Sequence, residues 1–126
     1  MISFHATECG YQIQEEAITC GASNSKDEGA EWHSLTFQRE VEGSSLENWG
    51  PYFEIDDQSQ GFYTRTARVE LLSNVLTVRV VPPRKQQFGH RVIVVDLSKC
   101  PRKSIAALNK GLRLVFRDAP GQFRDA

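Results

Sequence analysis

Long apolar runs are missing from this chain: nowhere do about 18 apolar residues follow one another, so nothing predicts a bilayer-spanning helix. The opening Met-Ile-Ser-Phe-His-Ala-Thr-Glu lacks the basic start and the apolar stretch of a secretory signal. Cysteine is scarce and odd in number, with Cys9, Cys20 and Cys100 far apart. Exported proteins usually pair their cysteines, so these three predict small buried thiols in a reducing, cytoplasmic setting. The three histidines, His5, His33 and His90, share no metal-ligand spacing with one another or with a cysteine. No Gly-x-Ser-x-Gly elbow, phosphate-binding glycine loop or dinucleotide fingerprint occurs. These absences predict no cofactor, no metal and no enzyme.

What is present is ordinary in amount and unusual in arrangement. A chain of 126 residues fits one domain, and a domain of this size buries roughly two-thirds of its unfolded surface without a staple. Hydrophobic residues make up 40% and charged residues 25%, which predicts a globular chain and not a disordered one. The net charge of −1 conceals a polarity. Residues 1–60 hold twelve acidic against two basic side chains, a net −10, while residues 61–126 hold four against thirteen, a net +9. Such polarity has two readings: charged surfaces that meet partners, or acidic and basic strands lying side by side and cancelling.

Alternation of apolar and polar residues predicts the strands. Ile2 to Ala6 alternate, and so do Tyr11 to Cys20, with a bulge or strand end at Glu15-Glu16. Residues 21–31 read as a polar loop, His33 to Val41 as a strand, and Gly43 to Pro51 as a second loop carrying Trp49. Tyr52 to Asp56 then place Phe53 and Ile55 inward and Tyr52, Glu54 and Asp56 outward. The clearest pattern runs from Ala67 to Val80. With Ser73-Asn74 as the turn, Val69 faces Val78, Leu71 faces Leu76 and Ala67 faces Val80, so all six share one apolar face. The opposite face sets Arg68 against Arg79, a like-charge pair that asks for an acidic neighbour, for which Glu54 and Asp56 are candidates.

Pro82-Pro83 ends the hairpin and the basic loop Arg84-Lys85-Gln86-Gln87 follows. Arg91 to Leu97 reads as a strand whose run Val92 to Val95 predicts burial on both faces, one of them against a helix. That helix starts near Pro101, with Ser98 as a possible cap. Ile105, Leu108, Leu112, Val115 and Phe116 recur at helical spacing as one stripe. The expected fold is α+β: an antiparallel sheet of about six or seven strands with one C-terminal helix packed on it. Residues 1–118 would form a single domain and 119–126 a flexible tail.

Chemistry-bearing residues are few. Glu54, Asp56 and Asp57 form the best carboxylate cluster; general acid–base work, an outward patch for a partner, and pairing to Arg68 and Arg79 are its possible roles, with catalysis the least favoured. Cys100 precedes Pro101 at a helix start, where a dipole can lower a thiol pKa, though a buried structural thiol is the simpler reading. Arg102, Lys103, Lys110, Arg113 and Arg117 fall on one flank of the helix and could meet phosphates, but exposed aromatics that stack bases are not interleaved with them.

Two groups of residues carry a resemblance. Pro51-Tyr52-Phe53-Glu54-Ile55-Asp56-Asp57-Gln58 followed by Gly61-Phe62-Tyr63, and Val69-Glu70-Leu71 followed by Val75-Leu76-Thr77-Val78, form the first. Val92 to Leu97 and the helix ending Leu112-x-x-Val115-Phe116-Arg117 form the second. Residues 50–117 so read are similar to the tenth immunity-protein family of bacterial polymorphic toxin systems, with Thr64 and Arg65 standing where that family carries small or glycine residues. The resemblance implies a cytoplasmic α+β domain that binds and neutralises a cognate toxin. Glu54, Asp56, Asp57, Phe62 and Tyr63 are the expected contact residues, since aromatics beside carboxylates suit an interface with a basic partner. The alternative is a small nucleic-acid-binding or regulatory domain acting through the basic helix flank.

Overall fold

Two five-stranded sheets and one helix make up the computed structural model, which describes residues 2–25, 29, 31–40, 51–56, 61–63, 67–80 and 92–125. The strands are β1 (Ile2–His5), β2 (Glu8–Gln14), β3 (Ala17–Ser23), β4 (Ser34–Glu40), β5 (Tyr52–Ile55), β6 (Gly61–Tyr63), β7 (Arg68–Leu72), β8 (Val75–Arg79), β9 (Val92–Asp96) and β10 (Phe123–Asp125). The helix α1 (Arg102–Val115) precedes a 3-10 turn at Pro120–Gln122. The α+β class with a single C-terminal helix holds. The strands, however, divide between two sheets. One is ordered β1-β9-β8-β7-β10 and is mixed, because β1 joins β9 and β10 joins β7 in parallel. The other, β2-β3-β4-β5-β6, is antiparallel throughout.

Period-2 patterning explains both sheets. In the mixed sheet β7 and β8 pair Val69 with Val78, Leu71 with Leu76 and Arg68 with Arg79, the register expected from the sequence. Ser73 and Asn74 both take positive φ, 51° and 63°, as a two-residue turn matched to strand twist requires. Ala67, Val69, Leu71, Leu76, Val78 and Val80 are all buried. In the antiparallel sheet the turn Glu15-Glu16 separates β2 from β3, and Gly21 to Ser23, expected in a loop, complete β3. Its inner rows run Tyr11–Cys20–Phe37–Phe53 and Cys9–Ala22–Leu35–Ile55. These inner faces and the helix stripe Leu108, Leu112, Val115 and Phe116 form one continuous core.

The helix lies chiefly on β2 and β3, with its end over β4 and β10. Gly111 makes the close approach possible, because a Cβ there would run into the Cβ atoms of Tyr11 and Cys20. Phe116 closes the far end, edge-on to Phe37 at 5.6 Å and stacked on Phe123 at 6.2 Å. Arg39, buried at the end of β4, reaches Asp118 at 2.9 Å and ties the helix exit to the antiparallel sheet.

Three expectations are corrected. Among the described residues no helix meets the second face of β9, where Val92 and Val94 stay half-buried; α1 sits on the other sheet instead. Ser98 does not cap α1, whose start at Pro101 has no side-chain cap; its N–H donates to Asp96 Oδ1 (2.8 Å). Residues 119–125 of the expected 119–126 tail are not frayed. Phe123–Asp125 form an edge strand on β7, fastened by Gln122 Nε2 donating to Ala67 O (3.1 Å) and by Arg124 on Glu70 (3.0 Å). The Gly43–Pro51 loop with Trp49 and the basic loop at 84–87 lie outside the described residues, Pro51 excepted.

Candidate functional site

The outer face of the antiparallel sheet is built from rows that the register fixes. One row reads Gln12–Thr19–Gln38–Tyr52–Tyr63, the next Gly10–Gly21–Thr36–Glu54–Gly61, and the third Glu8–Ser23–Ser34. Among the described residues no Lys or Arg occupies these positions. The side is acidic: Glu8 and Glu54 lie on the face, Glu40 and Glu31 at its ends, and Glu15-Glu16 in the β2–β3 turn. The only described cation of these five strands, Arg39, is turned inward onto Asp118.

Tyr52 and Tyr63 are cross-strand neighbours in T-shaped contact, with ring centroids 5.3 Å apart. Tyr52 Oη donates to Glu54 Oε1 (3.0 Å). Burial first, and then the Glu54 carboxylate that accepts this proton, push the Tyr52 hydroxyl up to about 12. The pair is therefore a fixed donor–acceptor unit with an apolar ring edge beside it, and Tyr63 is 47% exposed. Next to it the paired glycines Gly10 and Gly21 leave a shallow hollow of about 370 Å³, walled by Glu8, Gln12, Thr19, Ser23, Ser34 and Thr36. Gly21 is obligatory there, since a Cβ would strike Leu35 O of β4. Glu8 stands at the rim and accepts from the hydroxyls of Ser23 (2.9 Å) and Ser25. Trp32, in the approach to β4, is 52% exposed.

The expected contact residues separate on this map. Glu54 and Tyr63 come together on the outer face. Asp56 does not belong with them: it takes φ 67° and turns its carboxylate back to accept from the Ser34 N–H (3.1 Å) and to meet His33 Nδ1 (3.2 Å). His33 is in turn stacked on Phe4 of the other sheet, at 5.3 Å, and its N–H donates to Asn24 Oδ1 (2.7 Å). Asp56 thus holds a sheet corner. Gly61 to Tyr63 form β6, and Phe62 takes the register position opposite Phe53. Asp57 and the Phe62 side chain lie outside the described residues. Tyr52, Trp32 and the glycine hollow were not anticipated. The outward position of Tyr52 was the available signal, but the hollow appears only when five strands are in register.

The basic residues lie elsewhere. Arg68 and Arg79 belong to the mixed sheet, so Glu54 and Asp56, in the other sheet, are not the neighbours that the like-charge pair asks for. The helix flank is exposed but partly engaged: Arg113 binds Asp125 at 2.5 Å, and Lys110 Nζ stands 5.8 Å from the Tyr11 ring centroid. Cys100 is not an activated thiol. Burial raises its pKa, and the nearby Glu8 and Asp96 add to the effect, although a hydrogen bond with Cys9 opposes it. Burial pushes Cys9 and Cys20 up to about 12.

No helix among the described residues is long and apolar enough to cross a membrane. No family model, curated protein or solved structure gives a significant match to the chain, so the likeness to the immunity family rests on the residue pattern alone.

Proposed function

We propose that this protein binds and neutralises a cognate bacterial toxin in the cytoplasm of the producing cell, as a binder and not a catalyst. The outer face of its antiparallel sheet would be the contact surface. The observation that carries this reading is the segregation of charge: one sheet presents Glu8 and Glu54 around a Tyr52–Tyr63 pair with no basic side chain at the described positions of its face. Such a surface steers a basic partner and offers it aromatic area to bury. A toxin that grips nucleic acid has a basic groove, which this face could cover. The resemblance over residues 50–117 supports the same reading. The nucleic-acid alternative is less favoured, because Arg113 on this flank is already paired with Asp125 and Lys110 with the Tyr11 ring.

The test is co-expression with the toxin encoded beside this gene. Wild-type protein should restore growth, and Glu54→Lys combined with Tyr63→Ala should abolish rescue while the melting temperature stays nearly unchanged. Asp56→Ala should behave in the opposite way, costing stability of about 1–3 kcal/mol through its lost backbone and His33 partners but leaving binding by the folded fraction intact. Full rescue by the Glu54/Tyr63 double variant would show that the contact surface lies elsewhere.

A further inference from the structure

We infer that β2 is a self-association edge, and that two copies of the chain join antiparallel along it to make one continuous ten-stranded sheet. The four sheet edges are unequal. β1, β6 and β10 have four, three and three residues, whereas β2 has seven. Short edges are protected by their shortness; a long one needs charge, proline or a bulge to stop it pairing. β2 has none of these in its interior: Cys9 to Gln14 contain no charged residue and no proline, and all seven positions pair in unbroken register with β3. Among the described residues no strand lies on its other side.

The occupant follows from the sequence of the strand itself. A two-fold axis at Tyr11 pairs the whole of β2 with its copy, setting Gly10 opposite Gln12, Cys9 opposite Ile13 and Glu8 opposite Gln14. Each pair shares a face, as a continuous sheet requires. The empty position at Gly10 receives the longer Gln12, and Glu8 meets an amide that can donate to it. Ile13, 56% exposed in the monomer, gains the half-buried Cys9 as an apolar neighbour. A slip of the axis to Gln12 would instead set Glu8 against Glu16, a like-charge pair that disfavours it. The edge is thus complementary to itself in charge, size and face, which is what an isologous dimer needs. This inference is independent of the toxin-binding reading, and the dimer would place two acidic faces on one surface.

Sedimentation velocity of the full chain from micromolar to millimolar concentration is the test, joined to hydrogen–deuterium exchange. One pair of strands is a small interface, so a weak, concentration-dependent dimer is expected, with amide exchange across residues 8–14 slowing as the dimer fills. Ile13→Lys should weaken association at least tenfold with an unchanged circular dichroism spectrum. Gln12→Lys, at an exposed outer-face position, provides the same readout if the first variant fails to fold. A chain that stays monomeric to millimolar concentration overturns the inference. So does a dimer that tolerates both lysines, or a β2 whose exchange slows only when another protein is added.

Discussion

Gly111 offers the sharpest check on how α1 meets its sheet, because two physical effects predict opposite signs there. Helix propensity alone says that replacing a mid-helix glycine by alanine stabilises by about 0.8–1 kcal/mol. The packing says otherwise. An added Cβ would lie 2.8 Å from Cys20 Cβ and closer still to Tyr11 Cβ, with Tyr11 Cγ at 3.1 Å. Those first two atoms are rooted on paired strands, not at the ends of flexible side chains, so the relief has to come from the helix lifting off the sheet. Lifting it loosens Leu108, Leu112 and Val115 in the core. Overpacking of this kind costs about 1–3 kcal/mol, which outweighs the propensity gain. Gly111→Ala should therefore destabilise, by up to about 2 kcal/mol once the propensity gain is subtracted, lowering the melting temperature by up to about 8 °C for a chain of this length. Ala106→Gly, on the exposed side of the same helix, should cost about 1 kcal/mol by propensity alone. Both exchanges, Gly to Ala and Ala to Gly, would then destabilise one helix. Combining Gly111→Ala with Tyr11→Gly removes one of the colliding atoms and should show favourable coupling in a double-mutant cycle. A Gly111→Ala protein more stable than wild type in urea would refute the close approach.

Two further predictions test other parts of the fold. Leu71→Ala should cost about 2–5 kcal/mol as a large-to-small core change, while Thr77→Ala on the other face of the same hairpin should cost little; equal urea-midpoint shifts would mean the register is wrong. Asn109 Nδ2 (2.9 Å), then Arg113, hold the Asp125 carboxyl below its ordinary value of 3.8. Its stabilisation of β10 is therefore full above that value and is lost as pH falls through the lower folded one. The stability gap between wild type and Asp125→Asn should be constant near neutrality and close below about pH 3.8; a gap that persists in acid would show that Asp125 acts only by packing.

The sequence made some elements legible and others not, for identifiable reasons. The β7–β8 register could be read because six apolar residues at period 2 agree with one turn position and no other. The helix stripe was equally plain at period 3.6. The division into two sheets could not be read: alternation says that each strand has an apolar face but not which neighbour shares it. β10 was hidden because Phe123, Arg124 and Asp125 follow a Pro-Gly pair, and the contacts that hold them come from Ala67, Glu70 and Arg113, all distant in sequence. The charge imbalance of the two halves was visible, but its geometry was not. Side-by-side cancellation is the simpler outcome; instead, among the described residues, Glu8, Glu40 and Glu54 lie on strands of one sheet and Arg68, Arg79 and Arg124 on strands of the other, while further cations line the helix.

That separation also explains which polar residues can carry function. Asp56 is committed to His33 and Ser34, Arg39 to Asp118, and Asn24 to the backbone of Glu31 and His33. Each of these contacts ties one element of the fold to another, beside the backbone ladder or at the helix exit, so substitution there changes the fold before it changes a surface. Tyr52 and Glu54 are different. Their hydrogen bond links two residues of the same strand, and among the described residues it joins no second element. Tyr63 adds ring contact to Tyr52 from the neighbouring strand and exposes the rest of its surface. A face whose polar bonds are local can change its chemistry at little cost to stability, since surface substitutions away from caps, cores and buried networks usually stay within about 0.5 kcal/mol. The outer sheet thus meets the physical requirement for a recognition surface, while the corner at Asp56 and the helix exit at Arg39 keep the scaffold beneath it constant.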